Sequence, residues 1–404
     1  MKNILFLTHY FPPEVNAPAN RTFEHAIRWV KDDIDVTVIT NYPNHPHGKL
    51  YTGYQNQWFF TEQIQGIKVV RVKTFLTPNA GKIRRSINFL VYMVMSIWAS
   101  FYIKSVNVII ATSPQFFCGI AGALISRIKC KPFILEIRDL WPDSITAVNA
   151  VRKNILIRIL IRIEKWMYFS ASKIITLTDS FKAHIVGYGY SECQVKTITN
   201  GIDFHRMSIE KPGLDLFDKR DRFILSYIGT FGLAHKLEIV LRTAELLKTQ
   251  QDIHFLLIGD GADRKHLETV KRNMSIDNVT ILKLQPKDKI PYFLEISDAG
   301  LIMLKNNTLF KTVIPSKMFE YMAKKKPIIV SVPKGEATGI AQKYNCGLVV
   351  QPENPAELKR AILKLYHDPD LRATLGENGY SAVYQFFNRD SLARKMLELI
   401  LDVC

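Results

Sequence analysis

The sequence predicts an α/β protein made of two doubly wound parallel-sheet domains. Three observations carry this. Strand-length apolar runs alternate with helical stretches along nearly the whole chain. Several of those runs, ILSYIG and HFLLIG among them, are continuously apolar, as strands covered on both faces are. The alternation pauses once, over residues 200–222, a polar stretch with Gly201, Pro212 and Gly213 that reads as a linker. At 404 residues the chain is also too long for one ordinary core. Domains are therefore expected over 1–199 and 223–385, with a terminal helix over 386–404.

In the first half, strands are expected at 2–8, 34–40, 67–73, 106–112, 132–137, 172–178 and 194–199, and helices at 19–31, 84–103, 114–129, 152–170 and 179–187. The second half gives strands at 223–228, 253–258, 279–283, 299–304, 327–332 and 347–350. Its helices fall near 235–248, 262–273, 287–296, 316–324, 335–344 and 354–366, and two more near 368–386 and 389–403 close the chain. Repeats of strand, helix and strand give parallel sheets with right-handed crossovers. Ligands of such sheets bind beyond the carboxyl ends of the strands, and two such domains facing each other would form a deep cleft.

Formal net charge is +17, which calls for an anionic partner such as a lipid surface or phosphorylated small molecules. No nucleic-acid signature is present, so nucleic acid is not expected. Five scattered cysteines form no C-x-x-C pair, which argues against a zinc site or a disulfide framework and points to a reducing cytosol. The N-terminal apolar run stops at Thr8-His9 and does not read as a signal peptide. The run SINFLVYMVMSIWASFYIK (86–104) approaches the length of a membrane span but is interrupted by Ser86, Asn88, Ser96 and Ser100. A helix with one exposed apolar side is the favoured reading, an integral span the other.

The loops after strands hold the candidate site residues. GTFGLAHK brings Gly229, Thr230, Gly232, His235 and Lys236, and GDGADRKHLE brings Gly259 and Gly261, each just before a helix. Such glycines either let backbone N–H groups approach a phosphate or only make tight turns. IPSKMFEYMA places Ser316 as an N-cap, Lys317 at the helix start and Glu320 one turn on. One reading is a surface helix with a Glu320–Lys324 pair. The other is a donor site, with Lys317 on a diphosphate and Glu320 accepting from two ribose hydroxyls.

In the first half, EIRDLWPDS crowds Arg138, Asp139, Trp141 and Asp143 into a turn, either a polar binding lip or a Pro-capped turn. NYPNHPHGK supplies His45, His47 and Lys49 among prolines; with no acidic or cysteine neighbour, no metal is expected there. Two helices combine basic and apolar residues: one opens with Arg84 and Arg85, the other carries Arg158, Arg162 and Lys165. They suit contact with an anionic bilayer surface, or are core helices with arginines reaching out to water.

The set LFLTHYFPPE, NYPNHPHGK, RDLWPDS, ITNGID, GTFGLAHKLE, LIGDGADRKHLE and PSKMFEYMA resembles the retaining glycosyltransferases of family four, over nearly the whole chain and in order. The resemblance implies the GT-B fold, two Rossmann-like domains facing across a cleft, with the last helix returning to the first domain. RDLWPDS with PSKMFEYMA points to a branch from bacterial O-antigen and capsule clusters that includes N-acetylfucosamine transferases. The first half then binds the acceptor, through His45, His47, Lys49 and Trp141, and the second the nucleotide sugar. Glu320 matches the second glutamate of the family's E-x7-E motif; the first falls on Thr312. The family's donor-phosphate Arg and Lys fall on Thr230 and His235, which leaves Lys317, helped by Lys236, to carry that role. Asn16-Ala17 replaces the family's opening glycine pair.

The implied reaction transfers a sugar with retention from a UDP-sugar to a polyprenyl-diphosphate-linked saccharide, at the cytoplasmic face of the plasma membrane, with no metal or other cofactor. Lys317 and the 229–233 backbone would stabilise the departing diphosphate. Asp139, beside Arg138, would orient or deprotonate the acceptor. A nucleotide-sugar 2-epimerase of the same architecture and a non-enzymatic two-domain binding protein are the alternatives.

Overall fold

Ile4 and Phe6 turn to one side of the first strand and Leu5 and Leu7 to the other, and all four are buried. The period-two alternation of strand side chains thus fills two cores at once, as expected for a sheet covered on both faces. In this computed structural model, which describes residues 2–78, 82–113, 116–141, 155–208, 217–219 and 221–404, the chain divides into two units. Met1–Thr199 with Asp390–Cys404 make the first, and Asn200–Arg389 the second. Asp143, Pro212 and Gly213 lie outside the described residues.

The first unit runs β1 (Asn3–Leu7), α1 (Ala17–Lys31), β2 (Asp35–Asn41), β3 (Phe59–Ile64), β4 (Ile67–Val72), α2 (Lys82–Ser100), β5 (Val108–Thr112), α3 (Phe116–Lys129), β6 (Phe133–Ile137), α4 (Ile155–Ser170), β7 (Lys173–Thr176), α5 (Asp179–Gly187) and β8 (Val195–Thr197). Its sheet has the order β3-β4-β2-β1-β5-β6-β7-β8. Every pairing is parallel except β3 with β4. β3 corrects the sequence reading, which gave no strand there. It is a half-exposed edge strand, joined to β4 by a tight turn in which Gln65 and Gly66 both have positive φ.

Asn16 starts α1: its Oδ1 accepts from the N–H of Ala19 at 2.9 Å, and Pro18 fits the first turn. From α1, the buried Arg21 reaches Glu136 on β6 at 2.8 Å and donates to the carbonyls of Ile198 and Thr199. The same helix sends the Trp29 indole N–H to the carbonyl of Ala393. That bond ties the last helix, which spans Arg389–Leu401, into the first unit.

The second unit continues with β9 (Phe223–Ile228), α6 (Glu238–Leu246), β10 (Ile253–Ile258), α7 (Arg264–Met274), β11 (Val279–Leu282), α8 (Ile290–Ile296), β12 (Ala299–Met303), α9 (Lys317–Ala323), β13 (Ile328–Ser331), α10 (Glu336–Lys343), β14 (Gly347–Val349), α11 (Pro355–His367) and α12 (Pro369–Phe386); the last helix is α13. Its sheet order is β11-β10-β9-β12-β13-β14, all parallel. Phe223, Leu225 and Tyr227 face one core and Ile224 and Ile228 the other. The start of the expected linker instead belongs to this unit: Ile202 exchanges backbone hydrogen bonds with Phe387 and Arg389, both at 2.9 Å. Among the described residues no helix is long and apolar enough to cross a membrane.

Candidate active site

In the second unit the site begins with Tyr227, which β9 delivers to the sheet's carboxyl edge. Its ring is buried, and its hydroxyl donates to the carbonyl of Thr230 at 2.9 Å, pinning the loop that follows. Gly229 opens that loop with φ +141, a conformation other residues avoid. A side chain there would also meet Lys317 Nζ at 2.9 Å. Lys317, at the first position of α9, lays its Nζ 3.5 Å from the centre of the Tyr227 ring. Met318, Phe319, Tyr321 and Met322 are buried around the helix and fix its pose.

The Lys317 Nζ is shut off from solvent and has no hydrogen-bond partner among the described residues. Burial pulls its pKa down to about 7, against the opposing pull of Glu320. His235, across the Tyr227 ring at 5.9 Å between centroids, is pushed down to about 4 by burial and by Lys317, against a backbone hydrogen bond with Gly232 that raises it. Glu320 is raised above the usual carboxylate range by burial, opposed by Lys317 and Lys287. An unpaired buried cation costs stability, and proteins keep such groups where a ligand of opposite charge completes them. The buried amine, the imidazole of His235 and the Gly229 backbone thus gather at one end of the sheet.

The other predicted donor residues divide. Thr230 is exposed and Gly232 half-buried, and both lie on the same loop, as does Lys236, which is exposed with φ 48. Gly259 and Gly261 have a structural reason to be glycine. A side chain at either would collide with the Gly229–Phe231 segment, at 1.8 Å from Gly229 O and 2.5 Å from Phe231 O. Ser316 corrects the expected N-cap: it has helical dihedrals and its side chain makes no capping bond. Lys324 pairs with Glu295 at 3.1 Å rather than with Glu320. Asn16 belongs to the first unit, with its Oδ1 committed to capping α1. Thr312 Oγ1 donates to the carbonyl of Leu309 at 3.1 Å.

In the first unit, a concavity is lined by His9, Tyr10, His45, Arg85 and Asn88, among others. The sequence reading named His45 here but missed His9 and Tyr10, on the loop after β1, and Asn88. Glu14, buried, accepts the backbone N–H groups of Asn44 and His45, both at 2.9 Å, and so fixes the loop that carries His45. Burial, with His45 and Arg85 nearby, lowers His9 to about 3, against a hydrogen bond with Asn88 that raises it. Burial, Arg85 and His47 lower His45 in turn. Arg85 was expected on a membrane surface; although exposed, it lines this concavity. His47 and Lys49 are exposed.

Asp139 and Trp141 border a second, smaller hollow with Phe116, whose ring lies 4.6 Å from that of Trp141. Trp141 therefore packs on the core while keeping one side accessible. The Arg138 backbone N–H donates to Ser113 Oγ at 2.8 Å, and its guanidinium helps Arg21 hold the buried Glu136 carboxyl below its ordinary range against the effect of burial. Arg84, Arg158, Arg162 and Lys165 are exposed, the last lying over the Tyr188 ring at 4.6 Å. Among the described residues no three His, Cys, Asp or Glu side chains gather as a metal site.

Known protein families match both halves of the chain. Residues 215–382 match the family of glycosyl transferases group 1, and residues 19–206 match Glycosyltransferase Family 4. The chain is similar to the probable glycosyltransferase WbjE of Pseudomonas aeruginosa, 23% identical over 57% of this chain and 58% of that one. It is similar also to the capsular polysaccharide biosynthesis glycosyltransferase CapM of Staphylococcus aureus, 23% identical over 67% and 70%. It spans about half the length of the first curated relatives it matches. Among solved structures, Anabaena HepE in complex with UDP superposes with a TM-score of 0.68 at 14% identity, covering 100% of both chains. Two parallel-sheet α/β units with these neighbours are the GT-B fold.

Proposed function

We propose, on the premise that this chain carries two glycosyltransferase domains of the GT-B fold, one of group 1 and one of family 4, that it transfers a sugar with retention from a UDP-sugar to a lipid-linked saccharide during surface polysaccharide assembly. O-antigen or capsule is the product class, and N-acetyl-L-fucosamine the sugar that the RDLWPDS and PSKMFEYMA stretches favour. The observation that carries the reading is the buried, unpartnered Lys317 Nζ beside the Gly229 backbone.

As the bond to the anomeric carbon breaks, negative charge builds on the leaving diphosphate. Lys317 is already aimed and already desolvated, so it stabilises that charge without reorganising. The anion returns the favour by raising the lysine pKa, so the amine is fully charged when needed. His235 Nδ1 and the 229–232 backbone supply further polar contacts, and Glu320 accepts from the ribose hydroxyls. With these donors in place the reaction runs without a metal. The acceptor proton passes to a donor phosphate oxygen on the face of attack, with Asp139 orienting the acceptor hydroxyl and Arg138 beside it.

The first unit takes the acceptor, through His45 and the concavity it lines and through Trp141. UDP as the nucleotide follows from the HepE complex and from the family resemblance. The test is incubation with a panel of radiolabelled UDP-sugars, with and without a polyprenyl-diphosphate saccharide. Acceptor-dependent label in lipid is expected. Label moved between sugars without acceptor would instead mark a 2-epimerase, and no turnover of any donor would leave a binding protein.

A further inference from the structure

The helix α2 carries Ile83, Ile87, Leu90, Val94 and Trp98, all exposed, between 40% and 78% of their surface. Spacings of four, three, four and four residues put them on one side at about 100° per residue. The opposite side, with Tyr92, Met95 and Ala99, is buried in the core of the first unit. The stripe widens at its end, where the Trp98 ring lies 5.4 Å from that of Trp58, itself 56% exposed. Singly exposed apolar residues are ordinary, but a continuous apolar line along a whole helix marks an interaction surface.

Charge identifies the partner. α2, α3 and α4 cover the same face of the sheet, since residues of all three join one core. Over their ranges the sequence holds a single acidic residue, Glu164, which is buried and bonded to Tyr168 at 2.6 Å; α5, packed on the same core, adds the exposed Asp179, whose Oδ1 accepts from Thr197 at 2.6 Å. Arg84, Arg127, Arg158, Arg162 and Lys165 stand exposed on the same three helices. An apolar stripe with tryptophans at one end and a predominantly basic surround fits the interfacial zone of an anionic bilayer.

We infer that the first unit docks on an anionic membrane through the outer stripe of α2 and Trp58, which enter the headgroup–acyl boundary, while α3 and α4 hold the surface electrostatically. This deepens the reading of a lipid-borne acceptor by naming the surface that meets the lipid.

The test needs neither donor nor acceptor, so it stands or falls apart from sugar transfer. The full chain is mixed with phosphatidylglycerol or phosphatidylcholine vesicles, binding is read by co-sedimentation, and tryptophan quenching by bromine-labelled acyl chains reports insertion. Preferential binding to phosphatidylglycerol is expected. Leu90→Glu with Val94→Glu should reduce it at least tenfold; both sites are exposed, so folding is preserved. Arg158→Gln with Arg162→Gln should weaken binding several-fold at low salt and little at high salt. Trp58→Phe with Trp98→Phe should remove most of the quenching. Wild-type protein that ignores phosphatidylglycerol, or stripe variants that bind unchanged, would overturn the inference. So would lipid-free self-association abolished by the same stripe variants, which would assign the face to a second copy of this chain.

Discussion

Arg21 in the first unit and Lys317 in the second are both buried cations, yet only Arg21 has its charge answered. Its guanidinium meets Glu136 at 2.8 Å and the carbonyls of Ile198 and Thr199 at 3.0 and 2.8 Å. Lys317 Nζ meets an aromatic face at 3.5 Å and, among the described residues, no acceptor. The first arrangement joins α1 to the ends of β6 and β8 and is complete within the fold. The second has no answering hydrogen-bond acceptor among the described residues. On the proposed function, one buried charge serves stability and the other is held at a cost to stability for an incoming anion.

The sharpest way to break this contrast is to remove each cation. Arg21→Met leaves Glu136 buried without its main partner, so unfolding should become easier by about 3–5 kcal/mol in denaturant titrations. The pH dependence has a definite sign. Glu136 is held below its ordinary range, so its stabilisation is present at neutral pH and fades as pH falls through that lowered value. The deficit of Arg21→Met should thus shrink in acid, as the stranded carboxyl takes up a proton. Lys317→Met should do the reverse at neutral pH: an unchanged or higher melting temperature with transfer slowed by about 10²–10³. A Lys317→Met protein that melts early yet transfers sugar at the normal rate would reverse the assignment of the two cations.

How much of this was visible in the sequence follows the same divide. The parallel strands were legible because each is an unbroken apolar run, and β9 and β10 fall at the residues expected. β3 was not, because FFTEQI at a sheet edge is half polar and its signal lies mostly in the Gln65-Gly66 turn. Lys317 and Glu320 were singled out from their place on a helix after a strand, and the structure puts that helix at Lys317–Ala323. Tyr227 was hidden inside the apolar run that made β9 readable, and His9 and Asn88 line a concavity only once distant segments meet. The Ser316 cap failed because pattern alone does not show that this serine already has helical dihedrals. Gly259 and Gly261 matched a phosphate-loop pattern, but tertiary packing against the 229–231 segment demands glycine there.

A smaller effect sharpens the contrast within the second unit. If Glu320 accepts from a ribose, Glu320→Ala removes a hydrogen bond to a charged group, worth about 1.5–3 kcal/mol. The donor KM should rise by roughly 10–100-fold, while the rate at saturating donor changes less than in Lys317→Met. Burial already raises the Glu320 carboxyl, so its removal should not destabilise the apo protein. A full transfer rate at low donor concentration in the Glu320→Ala protein would remove it from the site.

The finest test is of protons. Free Lys317 sits at about 7, far below its unfolded value, because burial disfavours the charge. Between that value and the ordinary lysine range the unfolded chain binds more protons, so this group makes stability rise with pH there. Lys317→Met should flatten that rise. A bound diphosphate pulls the other way, recharging the amine. UDP binding near pH 8 should then take up a fraction of a proton, measurable by calorimetry in buffers of different ionisation enthalpy. Affinity should weaken as pH climbs above 7, approaching the roughly tenfold per unit that one titrating group allows. Proton uptake that persists in Lys317→Met would move the charge to another group, with the lowered His235 the next to examine.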